Sequence, residues 1–342
     1  MIFRLWNLLV LGLLLGLASV SGCSAAPAQR PASPRIVAVG DLHGDYAAWI
    51  AIARAAGLID ARDRWAGGRT ILVQLGDIPD RGPDSLKIMR HLMQLQREAP
   101  RRGGRVVALI GNHEAMNMTD DLRYVDPGEY AAFADRESEA RRQRVFAANE
   151  AAIAAQYRAA EPKMTDSAVK ARWLNETPLG WVEHRLAWRP TGELGRWVLG
   201  NPAVAMVDGN LFVHGGISVE YSKSTIDELN RRVVAAIRAG EQGPTAIIND
   251  PIGPLWYRGL VEREPGVVRP PVEQELPAVL SAYGAKRIVV GHTPLLSGIA
   301  VMHDGRLVRI DTGISRYYGG QLAYLEIIGD RVIARPVART GG

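Results

Sequence analysis

Short apolar runs separated by longer mixed stretches dominate the first third of the chain. The runs occupy 36–39, 71–75 and 106–110, and each is followed directly by a glycine. Such runs are typical of parallel strands that are covered on both faces. The stretches between them predict helices at about 46–56 and about 84–98, the second with apolar residues at helical spacing. Strands and helices are therefore expected to alternate here.

The second half of the chain contains further short strands. They are predicted at 198–199, 203–207, 211–213, 287–290, 299–302, 307–310 and 322–328. Among them, Thr225 and Glu228 form a capping-box pattern that begins a helix, and Gly240 ends that helix. Early alternation followed by late strands predicts an α/β protein with two packed sheets flanked by helices.

Composition and charge narrow the classes of protein to consider. The chain has 342 residues, 47% of them hydrophobic, which is ample for a large core. The formal net charge is +5, and +4 without residues 1–22, because that segment carries Arg4 and no acidic residue. This excess is too small to indicate nucleic-acid binding, which needs basic residues clustered on one face. It is compatible with substrates that carry phosphate.

The N-terminal residues predict an export signal rather than a part of the fold. Residues 5–18 are almost entirely apolar and follow Arg4. At roughly 14 residues, this stretch is shorter than the ~20 that a membrane-spanning helix needs. It therefore predicts a signal peptide at 1–22 and a periplasmic location.

A lipid anchor is predicted directly after this signal. Val20–Cys23 resembles the lipobox that precedes a lipid-modified cysteine, and Cys23 is the chain's one cysteine. We expect membrane attachment through Cys23 and a flexible Ala/Pro-rich tether at 23–34. Ordinary cleavage after Ala28 is the alternative. In either case the domain cannot depend on an internal disulfide.

Blocks of metal-ligating side chains follow the first three predicted strands. The blocks are Gly40–Asp45, Gly76–Gly82 and Gly111–Glu114. Because functional groups of open α/β sheets lie at the carboxyl ends of the strands, we expect the blocks to converge. A bridging carboxylate surrounded by Asp, Asn and His can hold two divalent ions, which suits in-line displacement at phosphorus. The blocks therefore predict a two-metal phosphoesterase.

These blocks, together with Phe212–Ser218 and Gly291–Pro294, resemble the calcineurin-like metallophosphoesterases. Within that family the patterns GDxHG, GDxxDRG and GNHE resemble the phosphoprotein phosphatase (PPP) branch. The stretch Gly111–Met118, followed by Asp121–Val125, resembles the Shewanella-like subgroup. The resemblance implies a four-layer α/β/β/α sandwich of two mixed sheets. It runs from residue 40 to about 313, so we expect one domain at 35–336.

The resemblance also implies a set of metal ligands. Asp41 and His43 would bind the first ion, Asp77 would bridge, and Asn112, His214 and His292 would complete the second. Mixed nitrogen and oxygen ligands admit manganese, iron or zinc and are poor for calcium.

Further residues are assigned roles by the same resemblance. His113 would be the general acid, oriented by Asp80, and Arg81 would bind the substrate phosphate. Arg258 is a second candidate for phosphate binding, and Arg123 is a candidate substrate contact. The alternatives are that His113 and Asp80 brace a loop and that Arg258 and Arg123 have structural roles.

The expected reaction is hydrolysis of phosphate monoesters by direct attack of a metal-bridging hydroxide. Substrates would be phosphotyrosine or phosphoserine/threonine proteins, or small phosphoesters. Pro294 occupies a position where many metallophosphoesterases carry a second metal-binding His, which favours monoesters over diesters. A dinucleoside polyphosphate hydrolase and a non-catalytic, metal-binding exported lipoprotein are the alternatives.

A helical insertion is predicted at about 126–175. This stretch is rich in Ala, Arg and Glu and poor in β-branched residues, so it predicts two or three helices. Because it follows Asn112 and His113 closely, we expect it to cap the site. A helical layer remote from the site is the alternative.

Overall fold

The structure is a computed structural model that describes residues 33–263 and 266–339. The predicted signal peptide (1–22), the predicted lipid site at Cys23 and most of the predicted tether (23–34) lie outside these residues. Within the described ranges, no helix is both long enough and apolar enough to cross a membrane.

The described residues form two five-stranded sheets. The strands are β1 Arg35–Val39, β2 Ile71–Gln74, β3 Arg105–Ala108, β4 Val204–Val207, β5 Asn210–Val213, β6 Arg287–Val290, β7 Ala300–Met302, β8 Leu307–Arg309, β9 Leu322–Ile328 and β10 Arg331–Val337. The first sheet has the order β10-β9-β1-β2-β3, and β1, β2 and β3 run parallel. The second has the order β4-β5-β6-β8-β7, with β5, β6 and β8 parallel. The three early apolar runs are confirmed as parallel neighbours.

The α-helices of the described residues surround these sheets. They are α1 Tyr46–Ala55, α2 Ser85–Glu98, α3 Asn112–Met118, α4 Pro127–Phe133, α5 Ser138–Ala160, α6 Asp166–Glu176, α7 Trp181–Trp188, α8 Glu193–Leu199, α9 Ile226–Ala239 and α10 Val272–Tyr283. The predicted capping box is present at the start of α9, where the Thr225 side chain accepts a hydrogen bond from the Glu228 backbone N–H. Gly240 ends this helix in a left-handed conformation.

Alternate residues of each strand face different layers of the fold. Ile36 of β1 lies in the apolar layer between the sheets, together with Phe212 of β5. Val37 points to the opposite face and packs in the cluster that includes α1 and α2, while Leu211 packs in the same cluster with α9 and α10. Side chains alternate between the two faces of a strand, so each sheet buries one face on its partner and the other on helices. The α/β/β/α sandwich of two mixed sheets is confirmed.

The segment between β3 and β4 remains helical beyond the predicted insertion. Two or three helices were predicted at about 126–175, and α4, α5 and α6 are found there; α7 and α8 follow them before β4 begins. The strand predicted at 198–199 is wrong, because these residues end α8. Leu194 and Val198 are four positions apart and both buried, so they form one face of a short helix. A pair of apolar residues is too short to reveal this period.

The layer between the sheets makes a stability prediction. Phe212 is fully buried there, so Phe212→Ala should lower the free energy of unfolding by about 3–5 kcal/mol in a urea titration. Val301 on the edge strand β7 is 44% exposed, and Val301→Ala should change it by about 0.5 kcal/mol or less. Equal effects of the two substitutions would contradict the assignment of Phe212 to the core.

Candidate metal centre

Buried polar residues from both sheets meet at the carboxyl ends of their strands. Each residue is at most 6% exposed. They are Asp41 and His43 after β1, Asp77 after β2, Asn112 after β3, His214 after β5 and His292 after β6. Hydrogen bonds and short contacts connect all six. The structure thus brings the six predicted ligand residues together.

The carboxylate of Asp77 lies at the middle of this group. Its Oδ2 atom is 3.3 Å from Nε2 of His214 and 3.8 Å from Nε2 of both His43 and His113. Its Oδ1 atom accepts a hydrogen bond from the backbone N–H of His113 at 3.0 Å. One side chain therefore faces three imidazoles.

The other nitrogen of each of two imidazoles is fixed by a backbone carbonyl. Nδ1 of His43 donates to the Pro79 carbonyl at 3.1 Å, and Nδ1 of His214 donates to the Leu75 carbonyl at 2.8 Å. Because a carbonyl only accepts, the hydrogen of the neutral ring lies on Nδ1. Nε2 then presents its lone pair toward Asp77, which is the usual arrangement of a metal-binding histidine.

Two sets of three side chains have ligand atoms close enough to share an ion. One set is His43, Asp77 and His113, and the other is Asp77, His214 and His292, with all ligand atoms of a set within 4.8 Å of one another. Asn112 adds an oxygen to the second set, since its Oδ1 lies 2.9 Å from Nε2 of His214. Nε2 of His292 is buried without a hydrogen-bond partner among the described residues. These groups fit divalent metals.

Asp41 is placed differently from the other predicted ligands. Its two carboxylate oxygens accept hydrogen bonds from the backbone N–H of His292, at 3.2 and 3.1 Å. It is not a member of either three-residue set. Its role as a metal ligand therefore stays a prediction.

Several buried carboxyl groups lie close to Asp77. Burial raises the pKa of Asp41 well above its ordinary value, and the Asp311 and Asp77 carboxylates raise it further. Burial also raises the pKa of Asp311 to about 6. Burial would raise the pKa of Asp77 too, but His214 and His113 outweigh this effect and hold that pKa well below its usual range. A cation in this cluster would offset the repulsion among the carboxylates.

His113 differs from the other imidazoles because its Nδ1 bonds a carboxylate. Nδ1 donates to Oδ2 of the fully buried Asp80, and Oδ1 of Asp80 accepts from Asn117 at 2.9 Å. Burial lowers the pKa of His113, but Asp77 and Asp80 more than compensate and leave it raised. By contrast, burial and the neighbouring His113 lower the pKa of His43 to about 3. The predicted pairing of His113 with Asp80 is present.

Two arginines reach the cavity in front of these residues. The cavity has a volume of about 470 Å³, and its lining includes His113, Arg81 and Arg258. The Arg81 guanidinium lies 4.7, 5.2 and 5.1 Å from the ring centres of Tyr124, Tyr317 and Tyr318. Arg258 donates to the backbone carbonyl of His292 at 2.9 Å. Both arginines thus line the same cavity, and their binding of phosphate stays a prediction.

Arg123 is not brought to this cavity. Its side chain is exposed and forms an ion pair with Asp121, and it lines a neighbouring cavity instead. The adjacent Tyr124 does line the cavity, and its ring lies 5.2 Å from that of His113. The structure favours Tyr124 as the site residue.

Several site residues were not assigned a role from sequence. Glu114 accepts hydrogen bonds from the backbone N–H groups of Asp77, Ile78 and Gly111, at 2.9, 2.9 and 2.8 Å. It therefore ties the second block to the third, and its place in the GNHE pattern was the available signal. Tyr318 lines the cavity, and no pattern in the sequence singled it out.

The loops that carry the site have strained backbones. His43, Asp77, Asp80, Arg81 and His292 all have left-handed φ angles, between 41° and 72°. Such angles are uncommon in non-glycine residues and cluster at functional sites. A Cβ atom at position 111 would overlap Oδ1 of Asp77, so the glycine there lets the two loops approach.

Comparisons with known proteins agree with this geometry. The family profile of the calcineurin-like phosphoesterases matches residues 34–309. The chain is 32% identical over 304 residues to an uncharacterized protein of Schizosaccharomyces pombe, which covers 85% of this chain and 76% of that protein. It is 31% identical over 292 residues to Shewanella-like protein phosphatase 2 of Arabidopsis thaliana, which covers 82% of this chain and 72% of that protein.

A solved structure shares the fold. The cold-active protein-tyrosine phosphatase of a psychrophilic Shewanella species aligns with a TM-score of 0.65 and 23% identity, covering 90% of this chain and 83% of that one. The family match spans most of the chain, and the described site contains the groups that metal-dependent phosphoester hydrolysis needs. The chain is therefore a metal-dependent phosphoesterase that belongs to the calcineurin-like phosphoesterase family, in its Shewanella-like protein phosphatase group.

Proposed function

We propose that the protein hydrolyses phosphate monoesters, either phosphorylated tyrosine, serine or threonine in proteins or small phosphoesters. One observation carries the proposal: a single cavity is lined by four of the candidate metal ligands, by both arginines and by the candidate acid. They are His43, Asp77, Asn112, His292, Arg81, Arg258 and His113. The cavity combines groups for binding cations, phosphoryl oxygens and a leaving-group oxygen. The phosphatase names of the relatives support the same reaction.

Two divalent ions are the proposed cofactors, and Asp77 would contribute a ligand to both. His43 and Asp41 would hold one ion, and Asn112, His214 and His292 would hold the other. Manganese, iron or zinc suits this mixture of nitrogen and oxygen atoms. When bound, such ions lower the pKa of water toward neutrality and offset negative charge on the phosphoryl group.

The protein's own side chains perform the remaining tasks. Arg81 and Arg258 bind phosphoryl oxygens, because a planar guanidinium can donate two parallel hydrogen bonds to them. The rings of Tyr124, Tyr317 and Tyr318 hold Arg81 in place without neutralising its charge. Asp80 fixes Nδ1 of His113, so that Nε2 faces the cavity and delivers a proton to the leaving oxygen.

A substrate panel tests the proposal. The purified protein would be supplied in turn with manganese, zinc and iron and assayed on a phosphotyrosyl peptide, a phosphoseryl peptide, p-nitrophenyl phosphate, its bis-ester and diadenosine tetraphosphate. We expect turnover of monoesters and little of the bis-ester. Turnover of diadenosine tetraphosphate alone would favour the polyphosphate hydrolase, and metal binding without any turnover would favour the non-catalytic alternative.

We further propose that the protein is exported to the periplasm and anchored by lipid on Cys23. The apolar stretch at 5–18 and the lipobox-like Val20–Cys23 support this proposal. Fractionation of expressing bacteria tests it: the full chain should sediment with membranes, and Cys23→Ser should not. Membrane association that persists in Cys23→Ser would reject the lipid anchor.

Asp77→Asn should abolish binding of the metal pair. The change removes the negative charge that faces three imidazoles, and metal content measured by mass spectrometry should fall together with turnover. Asp84→Asn is the matched control, since Asp84 pairs with Lys87 at the protein surface at 2.6 Å. Full metal content in Asp77→Asn would contradict the shared-ligand assignment.

His113→Asn should lower kcat by about 10²–10⁴-fold on substrates with poor leaving groups. The loss should be much smaller with p-nitrophenyl phosphate, whose leaving group needs little protonation. Metal content should stay unchanged, which separates an acid from a metal ligand. Loss of an ion from this variant, or equal losses on both kinds of substrate, would count against the acid role.

Substitutions of Arg81 and Arg123 test where the substrate phosphate binds. Arg81 lines the cavity and Arg123 pairs with Asp121 outside it. Arg81→Ala should therefore lower kcat/KM for p-nitrophenyl phosphate by about tenfold or more, as expected for loss of a charged hydrogen bond. Arg123→Ala should stay within about threefold of the unmodified protein, which corresponds to less than about 1 kcal/mol. The opposite ranking would overturn the placement of the phosphate.

A further inference from the structure

The loop that carries Asp80 and Arg81 is held by the chain segment that follows α3. Both residues have left-handed φ angles, 72° and 65°. Two consecutive non-glycine residues in this conformation persist only where their surroundings hold them. The contacts of their backbone N–H groups show what does so here.

The backbone N–H groups of Asp80 and Arg81 both donate hydrogen bonds to the short segment 124–129. The N–H of Asp80 donates to Oε1 of Glu129 in α4 at 2.7 Å, and the N–H of Arg81 donates to the Tyr124 carbonyl at 2.9 Å. Glu129 is 1% exposed. Gly128 packs so closely on Pro83 that a Cβ atom would overlap the proline ring. The start of α4 therefore lies directly on the loop.

The same loop orients two of the groups that are proposed to act on the substrate. The Asp80 carboxylate holds His113, and the Arg81 guanidinium lies on the Tyr124 ring. Asn117 fixes the Asp80 carboxylate from α3, whereas Glu129 fixes the Asp80 backbone from α4. A shift of this backbone would move the proton donor and the phosphate-binding arginine together.

We propose that Glu129 is a positioning residue for the reaction, acting through Asp80 on His113. Helix α4 then contributes to catalysis by bracing this loop, although none of the described residues of α4, α5 or α6 lines the cavity. The inference rests on the proposed role of His113 as proton donor. Burial and the nearby Asp80 carboxylate raise the pKa of Glu129 well above its usual value, which makes glutamine a close mimic of this side chain.

Three substitutions test the inference in the metal-loaded protein. Glu129→Leu removes the acceptor for the Asp80 N–H, Glu129→Gln keeps it, and Ser138→Ala is the control. Ser138 of α5 donates a hydrogen bond to Glu183 of α7 at 2.8 Å and is as buried as Glu129. The readouts are kcat for phenyl phosphate and for p-nitrophenyl phosphate, KM for both, metal content and the unfolding temperature.

We expect Glu129→Leu to lower kcat for phenyl phosphate by about tenfold or more, because that leaving group needs the proton that His113 delivers. The loss on p-nitrophenyl phosphate should be about threefold or less, with metal content unchanged. Glu129→Gln should behave as the unmodified protein does. Ser138→Ala should lower the unfolding temperature without changing the ratio of the two kcat values.

Equal losses on the two substrates, or full activity of Glu129→Leu, would overturn the inference. If Glu129→Leu does not fold, Glu129→Asp serves instead, because it retracts the acceptor by one methylene. Glu129→Asp should show the same selective loss of kcat, but a smaller one. An unchanged ratio of the two kcat values in Glu129→Asp would then overturn the inference. An unmodified protein that hydrolyses neither substrate would overturn the proposed function, whereas a selective loss confined to Ser138→Ala would overturn this inference alone.

Discussion

The buried carboxylate of Asp77 is the group around which the rest of the site is built. Three imidazole Nε2 atoms lie within 3.8 Å of one of its oxygens, and its other oxygen accepts the backbone N–H of His113. Burying an unpaired carboxylate costs free energy, and imidazole lone pairs that face it add to this cost. Cations bound beside Asp77 would offset both costs, because their positive charge would compensate the buried carboxylate.

The sandwich architecture makes this convergence possible. The ligands come from the ends of β1, β2 and β3 in one sheet and of β5 and β6 in the other. The apolar layer between the sheets sets the distance between those ends. Fine placement then depends on buried polar links such as Glu114, which joins the Asp77 loop to the start of α3. The strained angles at His43 and Asp77 persist because these links hold them.

Much of this organisation could be predicted from the sequence because it depends on residues that are neighbours along the chain. Each apolar run directly precedes its polar block, so the early strands and the meeting of the blocks at their ends follow from adjacent residues. Contacts between distant residues leave no such pattern. The hydrogen bond from Asp80 to Glu129 joins positions 49 apart, and the packing of Tyr318 on Arg81 joins positions still farther apart. Arg123 pairs with Asp121 and lies outside the cavity. This pairing depends on the fold of the loop, so the sequence did not reveal it either.

The most direct test of the account is anomalous X-ray diffraction at the manganese edge from crystals grown with manganese. Two anomalous peaks are expected about 3.5–4 Å apart, with Asp77 between them, His43 beside one and His214 and His292 beside the other. One peak away from Asp77, or no peak within coordination distance of its carboxylate, would contradict it.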